Sequence, residues 1–264
     1  MDIHFGCTSC GKCCQNLRVP LSLAEATAWL DRGHAVELLM DALLPPPEQS
    51  DPAKDEDAYA RYRRERGFAA RSGEVPVQVT VTLAAQFDGS CPNLTADLRC
   101  AIYDDRPLAC RIYPAEFNPF VPFDAARKGC PPEAWGEAPD HPLLLRDDAP
   151  AAPALQQDIA AMRAWAATEV PMRAALCGRL GIHAAALADE GLLVFRPRPE
   201  DLRDALAHAH ADSATKASAP VDWTLVTNRR STAAALTSLG TSAAVTRPGA
   251  SGGVQYLAFH PDEP

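Results

Sequence analysis

The strictest alternation of apolar and polar residues lies at 75–83, where apolar side chains occupy every second position. This period of two is typical of a half-buried β-strand. Upstream, Ser22-Leu-Ala-Glu25 has the spacing of a capping box, in which a serine and a glutamate satisfy the first free N–H groups of a helix. We therefore expect a strand over 75–83, and before it a helix that runs to about Leu44, either unbroken or interrupted at Gly33.

The rest of the chain alternates between helical patterns and polar, proline-rich stretches. Helices are expected over 56–67, 104–112, 154–180, 201–210 and 231–240. Short apolar runs predict strands of a small sheet over 221–227 and 255–260. Loops or linkers are expected over 1–20, 45–57, 114–140 and 211–220, where proline, glycine, small and polar residues dominate.

These elements predict an α+β fold made of two parts. Residues 1–148 are expected to form an irregular, cysteine-rich, metal-binding domain with a few helices and a short strand. Residues 149–264 are expected to form a smaller, alanine-rich region that is α+β or mainly helical, and the pattern assigns it no role. A chain of 264 residues is long enough to build a hydrophobic core without help from a metal.

The charge balance argues against a nucleic-acid partner. The formal net charge is −9, and an acidic protein repels phosphate backbones unless it carries a basic patch. The basic run at 61–66 follows an acidic run at 51–57 and is typical of a solvated helix face. No apolar stretch approaches the ~20 residues that span a bilayer, and no signal peptide is visible. We therefore expect no membrane contact and a cytoplasmic location.

Nine cysteines carry the candidate chemistry. Thiols stay reduced in the cytoplasm, so clustered cysteines indicate metal binding or catalysis rather than disulfides. Eight fall in two groups: Cys7, Cys10, Cys13 and Cys14, then Cys91, Cys100, Cys110 and Cys130. Eight thiols would supply two four-ligand sites, or one iron–sulfur cluster and one zinc ion. The ninth, Cys177, lies in a helical, alanine-rich stretch and is expected to be a packed core residue.

The first group has the spacing C-x2-C-x2-C-C. A C-x2-C turn lets two thiolates converge on one ion, as in zinc ribbons and iron–sulfur loops. Since neighbouring residues usually point apart, we expect Cys13 and Cys14 to face different directions. They would then serve two metals, or one would bind metal while the other acts as an accessory thiol.

Positive and aromatic side chains accompany the cysteines. Several thiolates in one site concentrate negative charge, and nearby cations would offset this charge and orient the sulfurs. We expect Arg106 and Arg111 in this role, with Tyr103 and Tyr113 packed around the cluster. The remaining nearby cations, Lys12, Arg18 and Arg99, are expected to be surface residues.

Histidines contribute little to the predicted site. His208 and His210 are two residues apart, a spacing that points them to different sides of a helix and argues against a shared metal. His4 precedes the cluster and is a weaker candidate ligand than any of the eight clustered cysteines.

Three motifs occur together in this chain: CxxCxxCC at 7–14, CPxL at 91–94 and CxIYxxRPxxCRxYP at 100–114, with a later cysteine at 130. In this combination the chain resembles the YkgJ-type cysteine-cluster family, a zinc- or iron-chelating domain, over roughly residues 5–130. The resemblance implies that zinc or iron, the iron in one form as a 4Fe–4S cluster, is bound by Cys7, Cys10, Cys13, Cys14, Cys91, Cys100, Cys110 and Cys130. It implies nothing for residues 150–264.

The resemblance also leaves an enzyme as the alternative. Members of this family are labelled iron–sulfur oxidoreductases, and a related cysteine-cluster region occurs in flagellin lysine N-methylases. The chain contains neither a CxxxCxxC radical motif nor a GxGxG loop, and it lacks a P-loop and an HExxH helix. The sequence therefore assigns no catalytic residue, and the spacing alone does not separate zinc from iron–sulfur.

Overall fold

Helices and strands are mixed along the chain in the computed structural model, which describes residues 2–45, 58–214, 221–247, 249–251 and 253–261. The strands are β1 (Ile3–His4), β2 (Val19–Leu21), β3 (Val36–Leu43), β4 (Gly67–Ser72), β5 (Val75–Ala85), β6 (Leu143–Arg146), β7 (Ala149–Pro150), β8 (Ala184–Leu187), β9 (Gly191–Phe195), β10 (Thr224–Thr227), β11 (Ala243–Val245), β12 (Gly249–Ser251) and β13 (Val254–Ala258). The α-helices are α1 (Leu23–Asp31), α2 (Ala58–Arg64), α3 (Leu108–Ile112), α4 (Pro153–Thr168), α5 (Val170–Leu180), α6 (Pro199–Ala214) and α7 (Arg230–Ser238). Within the described ranges, the helices are too short or too polar to cross a membrane.

One large sheet organises the fold, and β3 lies inside it. Along one edge β3 pairs antiparallel with β5 over its full length. Along the other edge it pairs antiparallel with β9 at 38–40 and parallel with β8 at 41–42. The sheet continues from β8 through β10 to β11 and from β9 through β13 to β12, while β2 and β4 pair with β5. Strands from the first and second halves of the chain therefore meet around β3.

The main hydrophobic core also contains residues from both halves of the chain. Leu38, Met40 and Leu83 of β3 and β5 are fully buried, and they belong to one apolar cluster with Leu176 of α5 and Leu225 of β10. Burial of a large apolar side chain stabilises a fold by about 1.5–3 kcal/mol. This core therefore joins the two halves of the chain.

The helix expected from the capping box to about Leu44 is only partly right. The box itself is confirmed, since Ser22 Oγ accepts from the N–H of Glu25 and the Glu25 carboxylate accepts from the N–H of Ser22 at 2.8 Å. However, α1 ends at Asp31, and Gly33 follows with a left-handed φ of 81°. Residues 36–43 form β3 instead, because the even-numbered residues from 36 to 42 are buried together on one face.

The predicted partition into an irregular cysteine-rich part and a separate smaller part is not confirmed. The first half contributes β2, β3, β4 and β5 to the large sheet, and strands of the second half extend that sheet instead of forming a small one of their own. The sequence pattern does not predict β4, β8 or β9. The boundary between residues 148 and 149 stays a prediction, with strands from both sides of it paired in one sheet.

The other expected helices and strands are confirmed with shifted ends over the residues that the structure describes. The strand at 75–83 extends to Ala85, and 154–180 divides at Glu169 into α4 and α5. Region 114–140 contains only one-turn 3-10 helices, at Ala125–Arg127 and Pro132–Ala134. The linker expected over 211–220 is helical as far as Ala214; residues 215–220, like 46–57 of the loop expected over 45–57, lie outside the described residues.

A smaller sheet and a second apolar cluster lie next to the cysteine-bearing loops. Strand β6 pairs with β1 and with β7, which ties the residues just before Cys7 to 143–150. Beside it, Ile112, Leu145 and Met162 are buried in a cluster separate from the main core. Helix α3 contacts both clusters, so Cys110 is held between them.

Candidate metal centre

A cavity of about 940 Å³ opens beside β2 and α3, and cysteines from both sequence groups lie on its wall. These are Cys7, Cys10, Cys13, Cys14, Cys91, Cys100, Cys110 and Cys130. Cys177 lies elsewhere, buried in α5 within the main core, where burial raises the pKa of its thiol to about 12. The structure therefore brings the eight predicted cysteines to one cavity and leaves Cys177 in the core, as expected.

The first cysteine loop turns sharply at Gly11, whose φ of 69° is left-handed. A Cβ atom at this position would also lie 3.2 Å from the side chain of Leu98. Glycine meets both demands, because it accepts positive φ without strain and has no side chain. The turn lets the N–H of Cys14 donate to the carbonyl of Gly11 at 3.0 Å and closes a one-turn helix at Lys12–Cys14.

The two adjacent cysteines do not point apart. Their Sγ atoms are 4.0 Å from each other, so the expectation that they face different directions is wrong. A 3-10 turn separates successive side chains by about 120°, whereas a strand separates them by about 180°. Two sulfurs bound to one tetrahedral zinc ion, at Zn–S distances of about 2.3 Å, are about 3.8 Å apart. Cys13 and Cys14 therefore have the separation of two ligands of one ion.

Backbone hydrogen bonds dock the second cysteine group on the first. The N–H of Cys91 donates to the carbonyl of Cys14 at 2.7 Å, and the N–H of Asn16 donates to the carbonyl of Gly89 at 2.8 Å. Cys100 is brought back to the same place by an isolated bridge to Leu94. The two hydrogen bonds link residues 77 and 73 positions apart in the sequence and set Cys91 beside the Cys13–Cys14 pair.

Cys110 is positioned through the start of α3. The N–H of Leu108 donates to Oε1 of Glu25 at 2.7 Å, while Oε2 of the same carboxylate accepts from the N–H of Ser22 at 2.8 Å. One carboxylate thus caps both α1 and α3, and its negative charge suits the free N–H groups at both helix starts. Ile112, fully buried, holds the other end of α3.

Cys130 is held by a tyrosine from the end of α3. The hydroxyl of Tyr113 lies 3.8 Å from Sγ of Cys130 and accepts from the N–H of Gly129 at 3.0 Å. Burial raises the pKa of Tyr113 to about 12, so the phenol stays protonated, and its oxygen accepts from the thiol of Cys130. Tyr113 therefore keeps the Cys130 segment against the cavity.

The inner thiols affect one another's protonation. Burial raises the pKa of Cys110 to about 12, and the neighbouring charges of Cys91, Cys13 and Cys100 add to the rise. The hydrogen bond between the thiols of Cys13 and Cys14 raises the pKa of Cys13 and lowers that of Cys14. These five thiols therefore form one electrostatic neighbourhood.

The outer thiols form a second neighbourhood that shares Cys13. Burial is the main cause that raises the pKa of Cys130, and the charges of Cys13, Cys10 and Cys7 raise it further. Sulfurs that resist ionisation because of one another would be stabilised as thiolates by a bound cation. Thiolate is also the ligand that zinc and iron–sulfur clusters prefer.

The fit to a metal is one of donor chemistry and proximity. Across the described parts of the chain, no group of three or more His, Cys, Asp or Glu side chains is arranged so that it could hold a metal ion. The thiols thus share a cavity without converging on one point.

Two predicted cations occupy different positions. Arg106 lies over the ring of Tyr103 at 3.7 Å and donates from Nε to the Tyr103 carbonyl at 2.8 Å. Its positive charge works against the rise in pKa of Cys13 and Cys110. Arg111 also lines the cavity, but its guanidinium binds both carboxylate oxygens of Asp158, at 3.0 Å between Nε and Oδ2.

Arg18 is exposed, as expected of a surface cation, and it also pairs with a buried carboxylate. It forms an ion pair with Glu37, whose side chain is 1% exposed, and Arg196 approaches the same carboxylate at 3.2 Å. A buried carboxylate is stable only when it is paired. Arg18 thereby connects the cavity wall, which it lines, to the large sheet. Arg99 pairs with Asp97 at 3.4 Å and Lys12 is exposed, as expected of surface residues.

The histidines lie outside the cavity wall. Nδ1 of His4 is 3.1 Å from the carbonyl of His141. His208 and His210 contact different neighbours, the carbonyl of Asp204 and the sulfur of Met172, in agreement with the prediction that they do not share a metal.

Sequence reasoning missed two residues that shape the site. Glu25 is visible in the sequence only as a capping-box residue, and nothing local indicates its second contact with Leu108. Asn93 occupies the variable position of the CPxL motif, and the structure places it, 7% exposed, on the cavity wall. Its position between Cys91 and Leu94 is the one signal that could have drawn attention to it.

Comparison with known proteins gives one match. The model of the family described as "CxxCxxCC: Putative zinc- or iron-chelating domain" matches residues 6–131. This range contains all eight cavity cysteines. Neither a curated protein nor a solved structure matches the chain.

Proposed function

Because the family model of a zinc- or iron-chelating CxxCxxCC domain matches residues 6–131, we propose that the protein binds zinc or iron through its eight clustered cysteines. The observation that carries the proposal is their placement, since all eight lie on the wall of one cavity while Cys177 lies in the core. Thiolates suit both zinc and iron–sulfur clusters. The predicted cytoplasmic location belongs to this proposal, because a reducing compartment keeps thiols available to metal.

Neighbouring side chains have supporting roles in the proposal. Arg106, kept in place by stacking on Tyr103, would offset thiolate charge near Cys13 and Cys110. Tyr113 would hold the Cys130 segment. Arg111 would offset thiolate charge from the cavity wall, in a direction fixed by its contact with Asp158. A bound metal would supply the positive charge that the thiolates lack and would thereby order the loops that carry them.

Metal analysis of cysteine variants tests the proposal. The wild type and the single variants Cys10→Ala, Cys110→Ala and Cys177→Ala are purified without oxygen, and zinc and iron are counted per chain. We expect both cavity variants to contain less metal than the wild type. Cys177→Ala, the matched control, should contain as much as the wild type, because its thiol is buried away from the cavity. Unchanged metal content in both cavity variants, or a wild type without zinc or iron whose eight cavity thiols all label freely, contradicts the proposal.

The same sample separates zinc from iron. A brown protein that absorbs near ~400 nm contains an iron–sulfur cluster, because sulfur-to-iron charge transfer lies in that region. A colourless protein with stoichiometric zinc supports the zinc form, since zinc has a filled d shell.

An iron–sulfur-dependent oxidoreductase or a protein-lysine N-methylase-like enzyme is the second candidate. It is favoured by the size of the cavity, because about 940 Å³ is within the range of about 300–1,000 Å³ typical of small-molecule sites. An oxidoreductase would lose its absorbance near ~400 nm on reduction with dithionite and regain it on reoxidation. A methylase would bind S-adenosylmethionine, detectable by calorimetry, and absence of both behaviours would leave metal binding alone.

A further inference from the structure

Asn93 is fixed between two cavity cysteines by its backbone. The N–H of Leu94 donates to the carbonyl of Cys91 at 2.9 Å, which closes a turn around Asn93. The carbonyl of Asn93 accepts from the N–H of Ala101 at 2.8 Å, directly after Cys100. With the side chain 7% exposed and on the cavity wall, the amide has little freedom to leave this place.

The side-chain amide of Asn93 has a buried donor without a partner. Its Nδ2 is out of contact with solvent and makes no hydrogen bond with the residues that the structure describes. A buried N–H left without an acceptor destabilises the folded state. Such a group indicates that an acceptor is present in the working state of the site.

A candidate acceptor in the same turn and on the same cavity wall is the sulfur of Cys91. A neutral thiol is a weak acceptor, whereas a thiolate is a strong one. The unpartnered amide is therefore placed where a metal-bound sulfur would accept from it.

We propose that Asn93 is a positioning residue whose side-chain N–H donates to the Cys91 sulfur and holds it in the direction that metal binding requires. The inference rests on the proposed metal binding. A hydrogen bond to a metal-bound sulfur removes electron density from it and restrains its rotation. Loss of this bond should weaken metal binding and alter the electronic state of the sulfur, even where the fold is intact.

The test uses two variants of Asn93 in the full-length protein. Asn93→Asp keeps the shape but replaces the donor by an acceptor, and Asn93→Leu removes the donor without adding charge. Asn16→Asp is the matched control, because Asn16 is in the neighbouring cysteine loop and its side chain accepts from the N–H of Gly89 at 3.0 Å. Asp preserves that acceptor and brings the same added charge to the same region.

Two readouts are measured on metal-free protein without oxygen. Zinc affinity is determined by competition with a chelator, and Co²⁺ is added to record the sulfur-to-cobalt charge-transfer band. We expect both Asn93 variants to bind zinc about 10- to 100-fold more weakly and to shift this band to lower energy, because the sulfur lone pairs lose a stabilising N–H. Asn16→Asp should match the wild type in both readouts.

The outcomes separate this inference from the proposed function. If the wild type binds neither Zn²⁺ nor Co²⁺, metal binding itself is refuted. If the wild type binds both and the Asn93 variants show the same affinity and the same band, the proposed role of Asn93 is overturned while metal binding stands. If Asn93→Leu does not fold, the comparison of Asn93→Asp with its control Asn16→Asp is the test. A weakened zinc affinity with an unshifted charge-transfer band also overturns the proposed role.

Discussion

The large sheet and the cysteine cavity are held together by different means. Around β3 the chain has continuous strand pairing and fully buried side chains such as Leu38 and Leu83. Around the cavity the chain has isolated contacts, for example one backbone hydrogen bond from Cys91 to Cys14 and the isolated β-bridge between Leu94 and Cys100. Apolar burial stabilises the first region without any ligand. In the second, thiols that raise one another's pKa gain stability when a cation is bound.

The difference between the two regions directs attention to the residues that join them. Glu37 of β3 pairs with Arg18 on the cavity wall, and Glu25 of α1 caps the helix of Cys110. Both carboxylates belong to the part of the chain that builds the core, and both fix groups of the cavity. Changes in the sheet should therefore alter global stability, changes in the cavity should alter metal binding, and changes in a joining residue should alter both.

The largest effect is expected in the sheet. Leu83→Ala removes a fully buried side chain from β5, and deletion of this size costs about 2–5 kcal/mol of unfolding free energy because a cavity remains. The free energy of unfolding is measured by urea denaturation followed by circular dichroism. Leu98→Ala is the control at the cavity, where Leu98 is 45% exposed, and it should change stability by less than about 0.5 kcal/mol. Equal losses of unfolding free energy in the two variants would contradict the proposed difference between the sheet and the cavity.

A pH-dependent effect is expected at Asp41 in β3. Burial raises the pKa of Asp41 to about 6 despite the opposing charge of Arg63 at 3.6 Å, and Asp189 adds to the rise. The folded state therefore binds a proton more tightly than the unfolded state, whose aspartate pKa is about 3.9. Stability contributed by this group is full below about pH 4 and is lost as pH rises through about 6, a decrease of about 3 kcal/mol.

Asp41→Asn should remove this slope. The variant should lose less stability than the wild type between pH 4 and pH 7 in urea denaturation, and its metal content should equal that of the wild type, because Asp41 is not on the cavity wall. If the unfolding free energies of the two proteins change in parallel with pH over this range, the pKa of Asp41 is not raised in the folded state.

Elements with a strong local signal were predictable from the sequence. The capping box at Ser22 and the alternating strand β5 are confirmed, because a cap and a period of two act within a few residues. Strand β3 was mistaken for the end of a helix, since a short apolar run does not distinguish the two by periodicity. Its partners β5, β8 and β9 are distant in sequence, and only their pairing makes residues 36–43 extended.

The candidate site was likewise predictable only where the signal is local in the sequence. Cysteine spacing was enough to group the eight cysteines that lie on the cavity wall, because the motifs are short and chemically distinctive. The predicted directions of the Cys13 and Cys14 side chains were wrong, because they depend on the turn at Gly11 and not on the adjacency of the two residues. The contacts of Glu25 and Asn93 depend on segments that meet only after folding, so no local pattern could predict them.

The smallest effect, and the one that joins the two regions, is expected at Glu25. Glu25→Gln leaves one oxygen to accept hydrogen bonds where the carboxylate offers two, so the N–H groups of Ser22 and Leu108 can no longer both be satisfied. The loss should be about 1 kcal/mol of unfolding free energy. Because Leu108 begins the helix of Cys110, the zinc or iron content should fall as well. Both quantities are measured on the same sample, by urea denaturation and metal analysis.

Ser22→Ala is the control that makes this result specific. It removes the hydroxyl that accepts from the N–H of Glu25 at 3.2 Å and should cost a similar amount of stability, about 1 kcal/mol. It leaves the contact between Glu25 and Leu108 in place, so the metal content should match the wild type. If the two variants lose metal equally, metal binding follows the stability of α1 in general. If only Glu25→Gln loses metal, the second oxygen of this carboxylate is the link through which the folded core positions Cys110.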